Sequence, residues 1–146
     1  MSDRRFTLVV WLLGIALAGL FWWPLVTGGG FVGGDSSSYY FPQKVFYAEQ
    51  LQRGLSPFWN DRVGHGYPML AESQVGVFYP PHLALYSWLD VNTAYSLSHL
   101  LHYVLAFVFT VAYARKFGVA RSGACLAAMV YVYGWFPCRS CWDWAI

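Results

Sequence analysis

The sequence predicts an all-α integral membrane protein with about three transmembrane helices and a large outer loop carrying surface-lying helices. Three observations predict it. The 146 residues are 58% hydrophobic and only 11% charged, where a soluble domain carries about a quarter charged residues. Residues 6–26, FTLVVWLLGIALAGLFWWPLV, hold no charge, and at ~1.5 Å per residue a helix of that length spans about 30 Å, the hydrocarbon thickness of a bilayer. A second apolar run, residues 93–114, stops at Arg115 and Lys116. The small net charge of +2, with no Lys/Arg cluster interleaved with polar residues, argues against a nucleic-acid partner.

The first run is too long for a signal peptide, and no small-x-small cleavage site precedes TGGG, so it reads as an uncleaved anchor. Arg4 and Arg5 keep its start cytoplasmic and bring residue 27 outside. Trp22 and Trp23, near that exit, suit an interfacial aromatic belt. Residues 93–114 return inward, and Arg115, Lys116 and Arg121 mark the cytoplasmic turn. A third span is expected over 122–137, where Gly123, Ala124, Ala127 and Ala128 allow close helix contact.

The outer loop, residues 27–92, contains Asp35, Lys44, Glu49, Arg53, Asp61, Arg62, Glu72 and Asp90, which is most of the chain's acid. Its length marks it as functional or disordered, and its many aromatics argue against disorder. Phe41, Val45 and Ala48 recur at helical spacing with Gln43, Gln50 and Arg53 opposite, which predicts an amphipathic surface helix over 42–53. A second short helix over 81–89 follows the Pro80-Pro81 pair. It is too short to span, and so is interfacial or re-entrant.

Asp35, in GGDSSSYYFP, is the first candidate for chemistry. Turn and cap roles account for most such aspartates, yet Asp35 lies too far upstream to cap a helix starting at Pro42. Asn60, Asp61, Arg62 and His65 form one polar cluster, and Glu72 and Gln74 a second. Each can bind acceptor, phosphate or metal, or be a solvated loop residue. Trp59, Tyr67, Tyr79 and the Tyr39-Tyr40 pair can stack on sugar or isoprene, although anchoring at the interface is the commoner use of such aromatics. His99 and His102 share a face of the second span, and an ionisable group there suggests function. A metal or haem would need further ligands; hydrogen bonding into a polar cavity below the loop is the preferred reading, with helix packing beside it.

The ordered set GGD, YYFP, LQRG, PFWN, GHGYP, AESQ and FYPPH, within residues 33–118, resembles the first outer loop of the YfhO-like bacterial membrane proteins, which are of the GT-C glycosyltransferase type. The resemblance implies an enzyme of the bacterial inner (plasma) membrane that moves a sugar from a polyprenyl-phosphate donor to a cell-envelope acceptor on the outer side. Asp35 matches the catalytic acid of the family's first outer loop. One carboxylate there can take the acceptor's proton, or hold a divalent cation, Mg or Mn, against the donor phosphate. Glu72, in the matched AESQ, is the candidate second acid or metal ligand. Because GT-C proteins have many more spans, the resemblance also implies an amino-terminal portion of a larger fold, inactive as the isolated 146 residues. Two rival classes stand beside it: a small non-catalytic membrane protein packing against a larger partner, and a thiol-redox membrane protein using Cys138 and Cys141 of CRSC.

Overall fold

Prolines and a single aspartate set most of the helix boundaries. The computed structural model describes residues 3–29 and 35–134, and the regular elements among them are all helical. Helix α1 (Asp3–Phe21) stops before Pro24, whose ring removes a donor and presses on the preceding turn. The chain turns at Trp22 and restarts as the one-turn α2 (Trp23–Val26). Helix α3 (Phe41–Gln52) leads to the short α4 (Met69–Glu72). Helix α5 (Pro80–Trp88) opens on its two prolines, where a missing N–H loses no helical bond. Helix α6 (Val91–Lys116) is capped by Asp90, whose carboxylate accepts the N–H of Asn92 at 3.0 Å and of Thr93 at 3.1 Å. A hydrogen bond from the Thr93 side chain, joined by these N–H donors, holds the Asp90 carboxyl below its usual range. Helix α7 (Arg121–Tyr133) follows the basic turn.

α1 and α6 are each long and apolar enough to cross a bilayer. The 13 residues of α7 rise about 20 Å. Residues 135–137 of the third expected span lie outside the described residues, as do Cys138 and Cys141.

The described residues form two compact units, 3–29 with 99–134, and 35–98. In the first, Val10 and Ala18 of α1, Phe107 and Val111 of α6, and Ala124, Ala128 and Val132 of α7 share one core. The buried stripe of α7 uses two of its four small residues; Ala127 faces outward. Gly14 lets α1 approach α6 closely, since a methyl there would lie 3.3 Å from the Phe107 ring. Away from this core the helices are apolar on the outside too: Leu12 is 66% exposed, Leu20 75% and Leu126 62%. An apolar exterior of this kind suits lipid rather than water.

Trp22 corrects the expectation of an aromatic belt. It is fully buried, with its ring edge-on to Phe21, His99 and Tyr103 at 4.7–5.5 Å between centroids. Burying a large ring where α1 breaks recovers more apolar area than an interfacial position would. Trp23 remains outward, 60% exposed.

The second unit is built around α3. Phe46, Tyr47 and Ala48 meet Met69, Val75, Val77, Tyr86 and Ala94 in one core, and Gln52 Nε2 ties the end of α3 to the carbonyls of Tyr86 and Leu89 at 3.1 and 2.9 Å. Gln43, expected on a polar face, is buried, and so is Lys44. α3 is therefore an interior element of this unit instead of an amphipathic helix with one apolar stripe. Phe46 and Tyr47 widen the buried arc until it takes in the polar positions between them.

Ahead of α3 the helical run extends back through Ser36–Tyr40 as one π-helical turn, closed by the N–H of Phe41 on the carbonyl of Ser36. A proline inside a helix clashes with the carbonyl four residues earlier. Pro42 would meet Ser38 in this way, and the wider i→i+5 turn relieves the clash.

Candidate functional site

In the second unit Tyr39, Lys44 and His82 converge on one short segment, residues 72–76. α4 ends at Glu72, and Ser73 takes the left-handed conformation (φ 65°) that a helix C-terminus usually assigns to glycine or asparagine. The Glu72 carboxylate turns back over this bend, accepting the N–H of Gln74 at 3.0 Å and of Val75 at 3.4 Å. Its other oxygen accepts the Tyr39 hydroxyl at 2.7 Å. The Tyr39 hydroxyl shares a second hydrogen bond with the Tyr67 hydroxyl, 2.6 Å away. These hydrogen bonds, Tyr67's first and then Glu72's, hold the Tyr39 phenol well above its ordinary value.

The same segment is gripped from below by Lys44. Its ammonium donates to the Val75 carbonyl at 2.5 Å and lies 3.0 Å from His82 Nδ1. The rings of Tyr86 and Tyr47 stand 5.1 and 5.7 Å away, within range of a cation–π attraction. Burial drives the Lys44 pKa from 10.5 down to about 8, opposed in part by the charge of Glu72. A protonated Lys44 makes His82 Nδ1 an acceptor. The imidazole then carries its proton on Nε2 and donates to Ser98 Oγ at 3.1 Å. If Lys44 loses its proton, the other tautomer can donate from Nδ1 to the Val75 carbonyl at 3.1 Å. The ring sits so close because Gly76 has φ 66°, and a methyl there would lie 2.9 Å from Nδ1. Beside this network, Tyr47 donates to the Val77 carbonyl at 2.9 Å, and burial pushes its phenol up to about 12.

Asp35 occupies the N-cap position of the extended helical run, which begins earlier than the sequence predicts, and it is exposed. Among the described residues its carboxylate makes no cap hydrogen bond. Asn60 is buried in a structural role: its backbone pairs with Tyr67, its Nδ2 donates to Gln43 Oε1 at 3.2 Å and its Oδ1 accepts the N–H of Arg62 at 3.0 Å. Arg62 pairs with Glu49 at 2.6 Å on the surface and covers the Phe46 ring, and its guanidinium holds the Glu49 carboxyl below the usual range. Asp61, His65 and Gln74 are exposed. His99 belongs to the first unit, packed against Trp22 and Tyr103, and His102 is half-buried one helical turn on.

Both oxygens of Glu72 face N–H and O–H donors, the surroundings of a carboxylate held in place by hydrogen bonds. Among the described residues no three His, Cys, Asp or Glu side chains group as a metal set.

Sequence reasoning missed Lys44 and His82. A signal was present for Lys44, which lies three residues after Phe41 and four before Ala48, on the predicted apolar face of its helix. No family model, curated protein or solved structure matches this chain.

Proposed function

We propose that the chain is the amino-terminal portion of a multi-pass GT-C-type glycosyltransferase of the bacterial inner membrane, with three spans in this portion. Its N-terminus is cytoplasmic and residues 27–92 face outward, where a polyprenyl-phosphate-linked sugar and a cell-envelope acceptor meet. Asp35 is the base. As the acceptor hydroxyl attacks the anomeric carbon, the carboxylate takes its proton and the polyprenyl phosphate leaves. The observation that carries this reading is the state of Asp35. It heads a helix, the place where an aspartate is usually spent on capping, yet it stays exposed and makes no cap hydrogen bond among the described residues. The network through Tyr39, Glu72 and Lys44 supports it by anchoring the turn on which Asp35 sits.

The test is Asp35→Asn in the full-length protein, assayed in membranes for sugar transfer from a labelled polyprenyl-phosphate donor. Loss of a positioned base lowers turnover by about 10²–10⁴-fold, so a fall of at least a hundredfold at unchanged protein level is expected. Full activity in the variant would refute the assignment.

A further inference from the structure

An open groove of about 840 Å³ runs between α6 and α7 in the first unit. Phe109 and Tyr113 of α6, Phe117 just past its end and Tyr131 of α7 form its walls, and Ala106 and Ala127 leave room between them. The hydroxyl of Thr110, which also lines it, is turned back onto the Ala106 carbonyl at 2.7 Å. From Ala106 to Phe117, one residue past the end of α6, the groove runs about 17 Å, close to the ~15 Å depth of one hydrocarbon leaflet.

Fixed positive charge stands at the Phe117 end. Lys116 is exposed next to Phe117, and Arg115, whose side chain also lines the groove between α1 and α6, donates to the carbonyl of Val119, an α6–α7 groove residue, at 2.7 Å with further N–H groups to spare. Arg121 is already paired with Asp3 at 2.6 Å. A zwitterionic lipid would fill the apolar length but bring no net charge to answer these cations, and so would an uncharged helix. One ligand class answers both features.

We propose that this groove binds a single anionic phospholipid, with an acyl chain lying between Phe109 and Tyr131 and the headgroup phosphate on Lys116 and Arg115. Basic positions beside transmembrane helices favour anionic headgroups by about fivefold per cation. The site lies apart from Asp35 in the sequence and needs no glycosyl transfer to be observed.

Native mass spectrometry of the purified chain, titrated with phosphatidylglycerol or phosphatidylcholine of identical acyl chains, tests it. Phosphatidylglycerol is expected to bind at least tenfold more tightly. Arg115→Ala combined with Lys116→Ala should weaken it by roughly twenty-five-fold, close to the phosphatidylcholine level. Ala127→Trp, which fills the groove from α7, should weaken both lipids, whereas Leu126→Trp on the outward face should weaken neither. Circular dichroism checks that each variant keeps its helix content. If Ala127→Trp unfolds, the alanine pair, at exposed positions outside the core, carries the test alone. Equal affinity for the two lipids, a preference that survives the alanine pair, or wild-type binding by a folded Ala127→Trp would each overturn the proposal.

Discussion

Replacing Lys44 with methionine should remove a pH dependence of stability that the wild-type chain possesses. In the folded unit, burial lowers the Lys44 pKa from 10.5 to about 8, whereas the unfolded chain keeps the ordinary value. A displacement of that size corresponds to about 3 kcal/mol between the two protonation states. The sign follows from the protons bound. Above pH 8 the folded state releases a proton that the unfolded state retains, so stability rises with pH until the unfolded lysine also titrates. Between pH 8 and 9.5 the gain is about 1.5 kcal/mol. The window must close there, because the tyrosines act oppositely. Tyr39, Tyr47 and Tyr86 have raised folded-state values, so their contribution is present below pH ~10 and lost above it. In Lys44→Met, His82 can donate from Nδ1 to the Val75 carbonyl at 3.1 Å, so the unit keeps its fold. The assay is reversible unfolding in mixed micelles at pH 8.0, 8.75 and 9.5, followed by circular dichroism. A wild-type stability that is flat or falling across this window, or a rise that persists unchanged in Lys44→Met, would refute the reasoning.

Tyr39→Phe removes a hydrogen bond to a carboxylate at a half-buried position, and should lower stability by about 1.5 kcal/mol; a double-mutant cycle with Glu72→Gln should show the two losses to be less than additive. Gly76→Ala forces a left-handed alanine and pushes on His82, costing about 1–2 kcal/mol in thermal unfolding. Gly19→Ala, where the new methyl meets nothing within 4 Å, should be neutral or stabilising by up to about 1 kcal/mol. Ala128→Leu overfills a fully buried position of α7 and should cost about 1–3 kcal/mol, measured against Leu126→Ala on the exposed face, which should leave unfolding in micelles unchanged.

The apolar runs were legible because they depend on composition alone. An uncharged stretch from Phe6 to Val26 leaves few alternatives to a long helix, and Pro80-Pro81 announces the start of α5 whatever packs around it. Burial of polar residues was not legible in the same way. Gln43 and Lys44 lie inside because Asn60, Val75 and His82 arrive from 17 to 38 residues away to receive them, and helical periodicity contains no trace of those partners. Glu72 stands out in the sequence through the matched AESQ, but its partner Tyr39 lies 33 residues earlier, among aromatics whose spacing suggests only stacking or anchoring. Trp22 shows the same limit at a helix end, since a tryptophan near a membrane exit and a tryptophan plugging a helix break have identical local sequence. Asp35 could be located but not aimed: the start of its helix depends on how Pro42 is accommodated, which a pattern of apolar residues does not encode.

The π-helical turn at Ser36–Tyr40 makes the number of serines before Tyr39 a matter of direction. A turn of this kind holds one residue more than an α-helical turn, and each residue of an α-helix advances the chain by about 100°. Deleting one of Ser36, Ser37 or Ser38 would let the run close as an ordinary α-helix, with α3 and the Lys44 tether to Val75 intact. Asp35 would then be swung by roughly a quarter turn about the helix axis. Orientation of the acid is thus written in chain length across the serine tract, and a change of one residue there would point it elsewhere.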